Sequence, residues 1–152
     1  MTPSRLSKPV LVLSGATAIA IALLVLLAPE AFYQSYGISL GQGVNLVNEL
    51  TAPAGMLLLA GGVMLAGVVF RALSRAGLLL AVVIYCGYAL SRCLNMAVNG
   101  LPEGGLIMAA GIEALIGGLA LVALMRSVYH PLRHRKTLRN RGRGIEDDAF
   151  VL

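Results

Sequence analysis

Arg92 stands inside a run of apolar residues, where an unpaired charge costs on the order of 3 kcal/mol or more. On the same run Tyr88, Arg92, Asn95 and Asn99 follow at steps of four, three and four. Those steps line them up as one polar stripe on a helix. Glu113 lies in the next apolar run, beyond the turn-forming Asn99-Gly100-Leu101-Pro102. Counted from that turn, Arg92 and Glu113 fall within about one helical turn of the same depth. An arginine fork facing a carboxylate is the arrangement best able to offset the desolvation of both groups. Asn45, Asn48 and Glu49 come near the start of the preceding apolar run, at the same end of the molecule. The expected cluster is therefore Glu49, Arg92 and Glu113, with Tyr88, Asn95 and Asn48 around it.

Such a cluster has two readings. As a polar staple it locks the register of a helical bundle and binds nothing. As a small cavity open to the outer side it recognises a polar headgroup, a quinone or a small solute, since ionisable groups inside a membrane mark functional sites. Two carboxylates for one arginine leave one acid free to accept a hydrogen bond, carry a proton or face a cation. Catalysis finds little support: no serine sits in a nucleophile elbow, and both histidines, His130 and His134, lie toward the C-terminus, away from the cluster. Pro131 between those histidines and the arginines around them argue against a metal site. No histidine is available inside a span to ligate haem. No cofactor is expected.

The elements that must position these residues are four long apolar runs. Hydrophobic residues make up 58% of the 152 residues and charged residues only 12%, with a mean hydropathy of +0.83. A water-facing surface could not be assembled from that composition. The runs cover about 9–28, 44–70, 76–98 and 104–129. They are too long for barrel strands, and a backbone in hydrocarbon must satisfy its own hydrogen bonds, so each is a helix. The second run starts at either Val44 or Pro53, because the proline either opens a helix or kinks a longer one and frees the Glu49 carbonyl. The first run has a basic lead like that of a signal peptide, but it is long enough to span and reads as uncleaved. The fold class is all-α, a four-helix transmembrane bundle over residues 1–129, followed by a basic tail over 130–152.

Charge gives the expected orientation. Eleven of the twelve Lys and Arg residues fall at the N-terminus (Arg5, Lys8), in one loop (Arg71, Arg75) and from Arg126 to Arg143. The other two connections hold none, the alternation expected when both termini are cytoplasmic. Tail residues Arg133, Arg135, Lys136, Arg139, Arg141 and Arg143 suit the anionic headgroups of the inner leaflet. No aromatic residue is interleaved among them, so nucleic acid is not an expected partner. Glu146 to Leu152 reads as a loose end or as a docking peptide for a partner. Small residues at four-residue spacing, Ala110, Ala114 and Gly118 on the fourth run and Gly62 and Ala66 on the second, predict close helix contacts. Phe32 to Leu40, aromatic and uncharged, is expected to lie along the outer interface, with a lid over a site as the alternative. Cys86 and Cys93, seven residues apart on one helix and hence about 10 Å apart, cannot bridge.

The stretch Asn48-Glu49-Leu50-Thr51-Ala52-Pro53-Ala54-Gly55, with Gly87 to Arg92, Asn99 to Pro102 and Glu113, resembles a family of small bacterial four-helix membrane proteins. That family is catalogued as a domain of unknown function and is distantly similar to the DoxX-like group. Its pattern has Asn-Glu-x-x-Ala-x-x-Gly opening the second helix, an arginine in the third, an Asp/Asn-Gly-x-Pro turn and a glutamate in the fourth. The likeness covers about 28–124 and departs at Leu50-Thr51, where the pattern has an arginine; Glu49 is left to lean on Arg92. The resemblance implies a bacterial inner-membrane location, and its DoxX-like side implies an accessory role beside membrane oxidoreductases. Three functions are carried forward. The first is a non-enzymatic protein binding a lipid-like or small polar ligand at the charge cluster. The second is an accessory subunit of a larger membrane complex. The third is a quinone-linked redox subunit or proton-coupled carrier.

Overall fold

A computed structural model describes residues 6–41 and 43–148, with side chains as far as Val128. The elements are α1 (Ser7–Leu27), α2 (Pro29–Gln34), α3 (Val44–Val69), α4 (Ser74–Asn99) and α5 (Gly104–Asp148), with no strand among the described residues. Among the described residues four helices are long and apolar enough to cross a membrane: α1, α3, α4 and α5 over Gly104–Val128. The protein is an all-helical, multi-pass membrane protein. The second span begins at Val44 and carries Pro53 inside it, which settles its start in favour of the longer helix. Beyond Val128 the α5 backbone continues as helix to Asp148. The side chains of His130, His134 and Arg133 to Arg143, and all of Ala149 to Leu152, lie outside the described residues.

Many large apolar residues face outward, and small ones fill several of the contacts between helices. Leu13, Leu24, Leu27, Met56, Leu59 and Leu115 are exposed, whereas Ala18, Ala22, Ala60, Ala81, Ala120 and Ala123 are buried. Lipid is as apolar as leucine, so nothing drives leucine inward; helices associate where small residues let their surfaces meet closely. One close meeting joins α1 and α3. A Cβ placed on Gly61 would lie 3.0 Å from the Gly15 carbonyl oxygen and 2.7 Å from Ile19 Cγ1, and one on Gly15 would lie 3.0 Å from the Gly61 carbonyl. Alongside it the Tyr85 hydroxyl, 3% exposed, donates to the Ser14 carbonyl at 2.7 Å, tying α4 to α1. Gly77 meets the Met64 backbone, and Gly117 meets the Cys86 backbone and joins α5 to α4.

These contacts correct the expected packing faces. A Cβ on Gly62 or Gly118 would meet nothing within 4 Å, and Ala114 is exposed. Of the predicted stripes only Ala110 is buried. The contact glycines are the immediate neighbours Gly61 and Gly117, about 100° around their helices. With small residues on two adjacent faces, spacing does not say which face is inward. The turn between α4 and α5 is as expected: Gly100 has φ 91°, and its N–H donates to the Met96 carbonyl at 3.1 Å. A side chain there would be strained, so glycine fits. Both cysteines are free.

Gly61→Leu is expected to force α1 from α3 and cost about 1–3 kcal/mol, whereas Gly62→Leu, facing open space, should stay within about 0.5 kcal/mol of the parent. Thermal unfolding of the two variants in a mild detergent compares them directly; equal destabilisation would remove the Gly15–Gly61 contact from its central place.

Candidate ligand-binding site

The α1–α3 contact closes the bundle toward the termini. At the other end the helices part around a cavity of about 410 Å³, reached by Ala18, Ile21 and Val25 of α1, Ala54 and Leu57 of α3, and Ile84 of α4. That volume lies within the range of small-molecule sites, roughly 300–1,000 Å³. Its polar lining includes Glu49 from α3, Tyr88 and Arg92 from α4, and Glu113 from α5. Residues from the four spans and from α2 therefore surround one space that is apolar in body and charged at one part of its wall.

Arg92 and Glu113 pair as their depth predicted. Arg92 Nε donates to Glu113 Oε2 at 2.9 Å, with the arginine side chain 33% and the glutamate 14% exposed. The tight turn after α4 makes the two helices antiparallel neighbours, which brings residues about equally far from Gly100 side by side. Glu49 does not lean on Arg92. It lines the same cavity but is exposed at the residue level and has no ion pair with Arg92 within 4.0 Å. The guanidinium is instead turned to the nearer carboxylate on α5. Asn48 is also set apart: it is exposed, it lines neither cavity described here, and its carbonyl accepts from the Thr51 hydroxyl at 3.3 Å. Asn95 belongs to a second cavity of about 340 Å³, which it lines with Ser91, Arg92 and the aromatic segment.

The aromatic segment takes a role that composition did not favour. Phe32, Tyr33 and Tyr36 turn toward the bundle and line both cavities, so the segment is a wall of the site, closer to the lid alternative than to a strip lying on the interface. Phe32 holds Tyr33 and Tyr36 edge-to-face, with ring centroids at 5.3 and 5.4 Å. The Tyr33 hydroxyl donates to the Leu50 carbonyl at 3.0 Å, next to the Glu49 carbonyl that Pro53, lacking an N–H, leaves without its helical donor. Burial, with a smaller contribution from Tyr88, raises the Tyr33 hydroxyl above its ordinary pKa. The i, i+4 spacing of Phe32 and Tyr36 was the available sequence signal for this wall. Among the described residues no group of three His, Cys, Asp or Glu side chains is gathered to hold a metal.

Four apolar helices around an intramembrane cavity define a small polytopic helical membrane protein. Residues 6–124 match the family described as a domain of unknown function, DUF4345, and the chain belongs to that family. No curated protein matches the chain, and no solved structure does.

Removing the Arg92 guanidinium leaves Glu113 largely buried without a partner. Arg92→Leu is expected to cost about 1–3 kcal/mol, while the double change Arg92→Leu with Glu113→Leu should return stability to about the parent value. A double-mutant cycle on thermal unfolding measures the coupling; additive losses would mean the pair contributes nothing as a pair.

Proposed function

We propose that this protein is a non-enzymatic, multi-pass protein of the bacterial inner membrane that binds a lipid-like ligand in the cavity between its helices. The carrying observation is the joining of an apolar space of about 410 Å³ to Glu49, Tyr88, Arg92 and Glu113 on its wall. A polar staple alone has no need of a space. An amphiphile fits both parts, its chain among Ala18, Val25, Leu57 and Ile84 and its polar head near the charges. On this reading both termini are cytoplasmic, as the distribution of positive residues supports, and the charged end of the cavity lies in the outer half of the membrane. The arginines and lysine of the C-terminal stretch then meet the anionic inner leaflet.

Filling the space tests this reading. Ala54, buried on α3, lines the cavity, and Ala54→Leu should remove a co-purifying adduct in native mass spectrometry while the helical circular dichroism spectrum persists. The reading fails if the parent protein, gently extracted from its own membrane, carries no reproducible adduct, or if the adduct survives the filled cavity.

A second reading, an accessory subunit of a larger membrane complex, draws on the open space beside Gly62 and Gly118. Small residues facing outward from a bundle allow another helix to approach. On this reading Gly118→Leu abolishes a stoichiometric assembly seen by native gel electrophoresis and leaves the isolated bundle as stable as before. Retention of the assembly would exclude that face.

A further inference from the structure

The charges of the cavity are not balanced. Glu113 is taken up by Arg92 Nε at 2.9 Å, which makes that pair close to neutral. Glu49 lines the same cavity and has no hydrogen-bond or ion-pair partner among the described residues. One carboxylate is thus in excess at the edge of an apolar space, where a carboxylate is best compensated by a cation or a proton. The rings beside it add a second, independent preference. Phe32, Tyr33, Tyr36 and Tyr88 line this cavity together with Glu49, and ring faces attract cations through their quadrupoles. Phe32 fixes two of these rings by edge-to-face contacts, and Tyr33 is anchored on the Leu50 carbonyl, one residue from Glu49. Rings already held in place lose little freedom when a ligand arrives.

We infer that the cavity takes an amphiphile with an ammonium head, the head held between Glu49 and the rings of Phe32, Tyr33, Tyr36 and Tyr88 and the chain lying in the apolar body. The inference rests on the cavity reading proposed above and names its ligand class. Depth agrees with it. Glu49 is exposed near the start of α3, so the head stays near the membrane surface. The chain points inward, past Ala54 and Leu57 toward the Gly15–Gly61 contact that closes the bundle. An anionic head would meet the excess carboxylate and be repelled by it. A neutral head would leave Glu49 without a counter-charge. Arg92, already paired with Glu113, offsets one carboxylate and leaves the other to the ligand.

The test uses the full chain in an uncharged maltoside detergent with three probes of one chain length: decyltrimethylammonium, decan-1-ol and decyl phosphate. Native mass spectrometry titrations read their relative occupancy. The ammonium probe is expected to bind at least tenfold more tightly than either of the others. Glu49→Gln should reduce it to the level of decan-1-ol without changing decan-1-ol binding, and Glu49→Asp should retain part of the preference. Tyr36→Leu should weaken the ammonium probe alone. Unchanged thermal unfolding of the Glu49 variants, whose side chain has no partner to lose, confirms an intact bundle. Equal binding of the three probes, a preference for the phosphate, or an ammonium preference untouched by Glu49→Gln overturns the ammonium assignment and leaves the cavity reading standing. Binding of none of the three overturns both.

Discussion

The structure depends on the close approach of α1 and α3 at Gly15 and Gly61. In an apolar surrounding, burying leucine gains little, so a bundle is held where backbones come near enough for dispersion over many atoms. A Cβ at either glycine would collide with the other helix. The Tyr85–Ser14 hydrogen bond joins α4 to the same place, and Gly77 and Gly117 bring in the remaining packing. Many leucines consequently face outward, while a few large residues, Leu11, Met64 and Leu78 among them, are packed with alanines inside.

Closing one end leaves the other free to open. Beyond the glycine contact, α1 and α3 present Val25 and Leu57 to a shared space, and the α1–α3 connection folds back over it as α2 with its aromatic residues. Pro53 contributes as well: without an N–H it leaves a helical carbonyl of α3 unpaired, and Tyr33 donates to the carbonyl beside it. The cavity therefore follows from the packing constraint and the placement of a short aromatic segment. No helix lines it alone.

The polar groups sit where this opening can accommodate them. Arg92 and Glu113 occupy neighbouring helices joined by a four-residue turn, and their pairing at 2.9 Å offsets the desolvation each would suffer alone. Such a pair holds α4 and α5 in register. Glu49 approaches from α3 and lines the cavity without an ion pair to Arg92. The arrangement sets an ion pair between two helices beside a cavity lined by a second carboxylate.

Much of this was legible in the residues themselves. Apolar run length set the four spans because a membrane admits only self-satisfied backbones, and the NGLP turn set α4 and α5 as antiparallel neighbours. Together these sufficed to pair Arg92 with Glu113, since depth along two adjacent helices is a matter of counting. Rotation about the helix axis and contacts between distant elements were not countable. Gly61 and Gly62, or Gly117 and Gly118, are equally small, and only the packed bundle decides which of each pair faces inward. Asn48 and Glu49 are adjacent in sequence, yet about 100° of helical turn leaves one outside and the other on the cavity. The inward turn of Phe32, Tyr33 and Tyr36 rests on a hydrogen bond to Leu50, seventeen residues from Tyr33. Spacing along the chain thus determined the spans and the depth of each charge, whereas the three-dimensional packing alone decided rotation, closure and the cavity, because those follow from contacts between surfaces that the chain order does not contain.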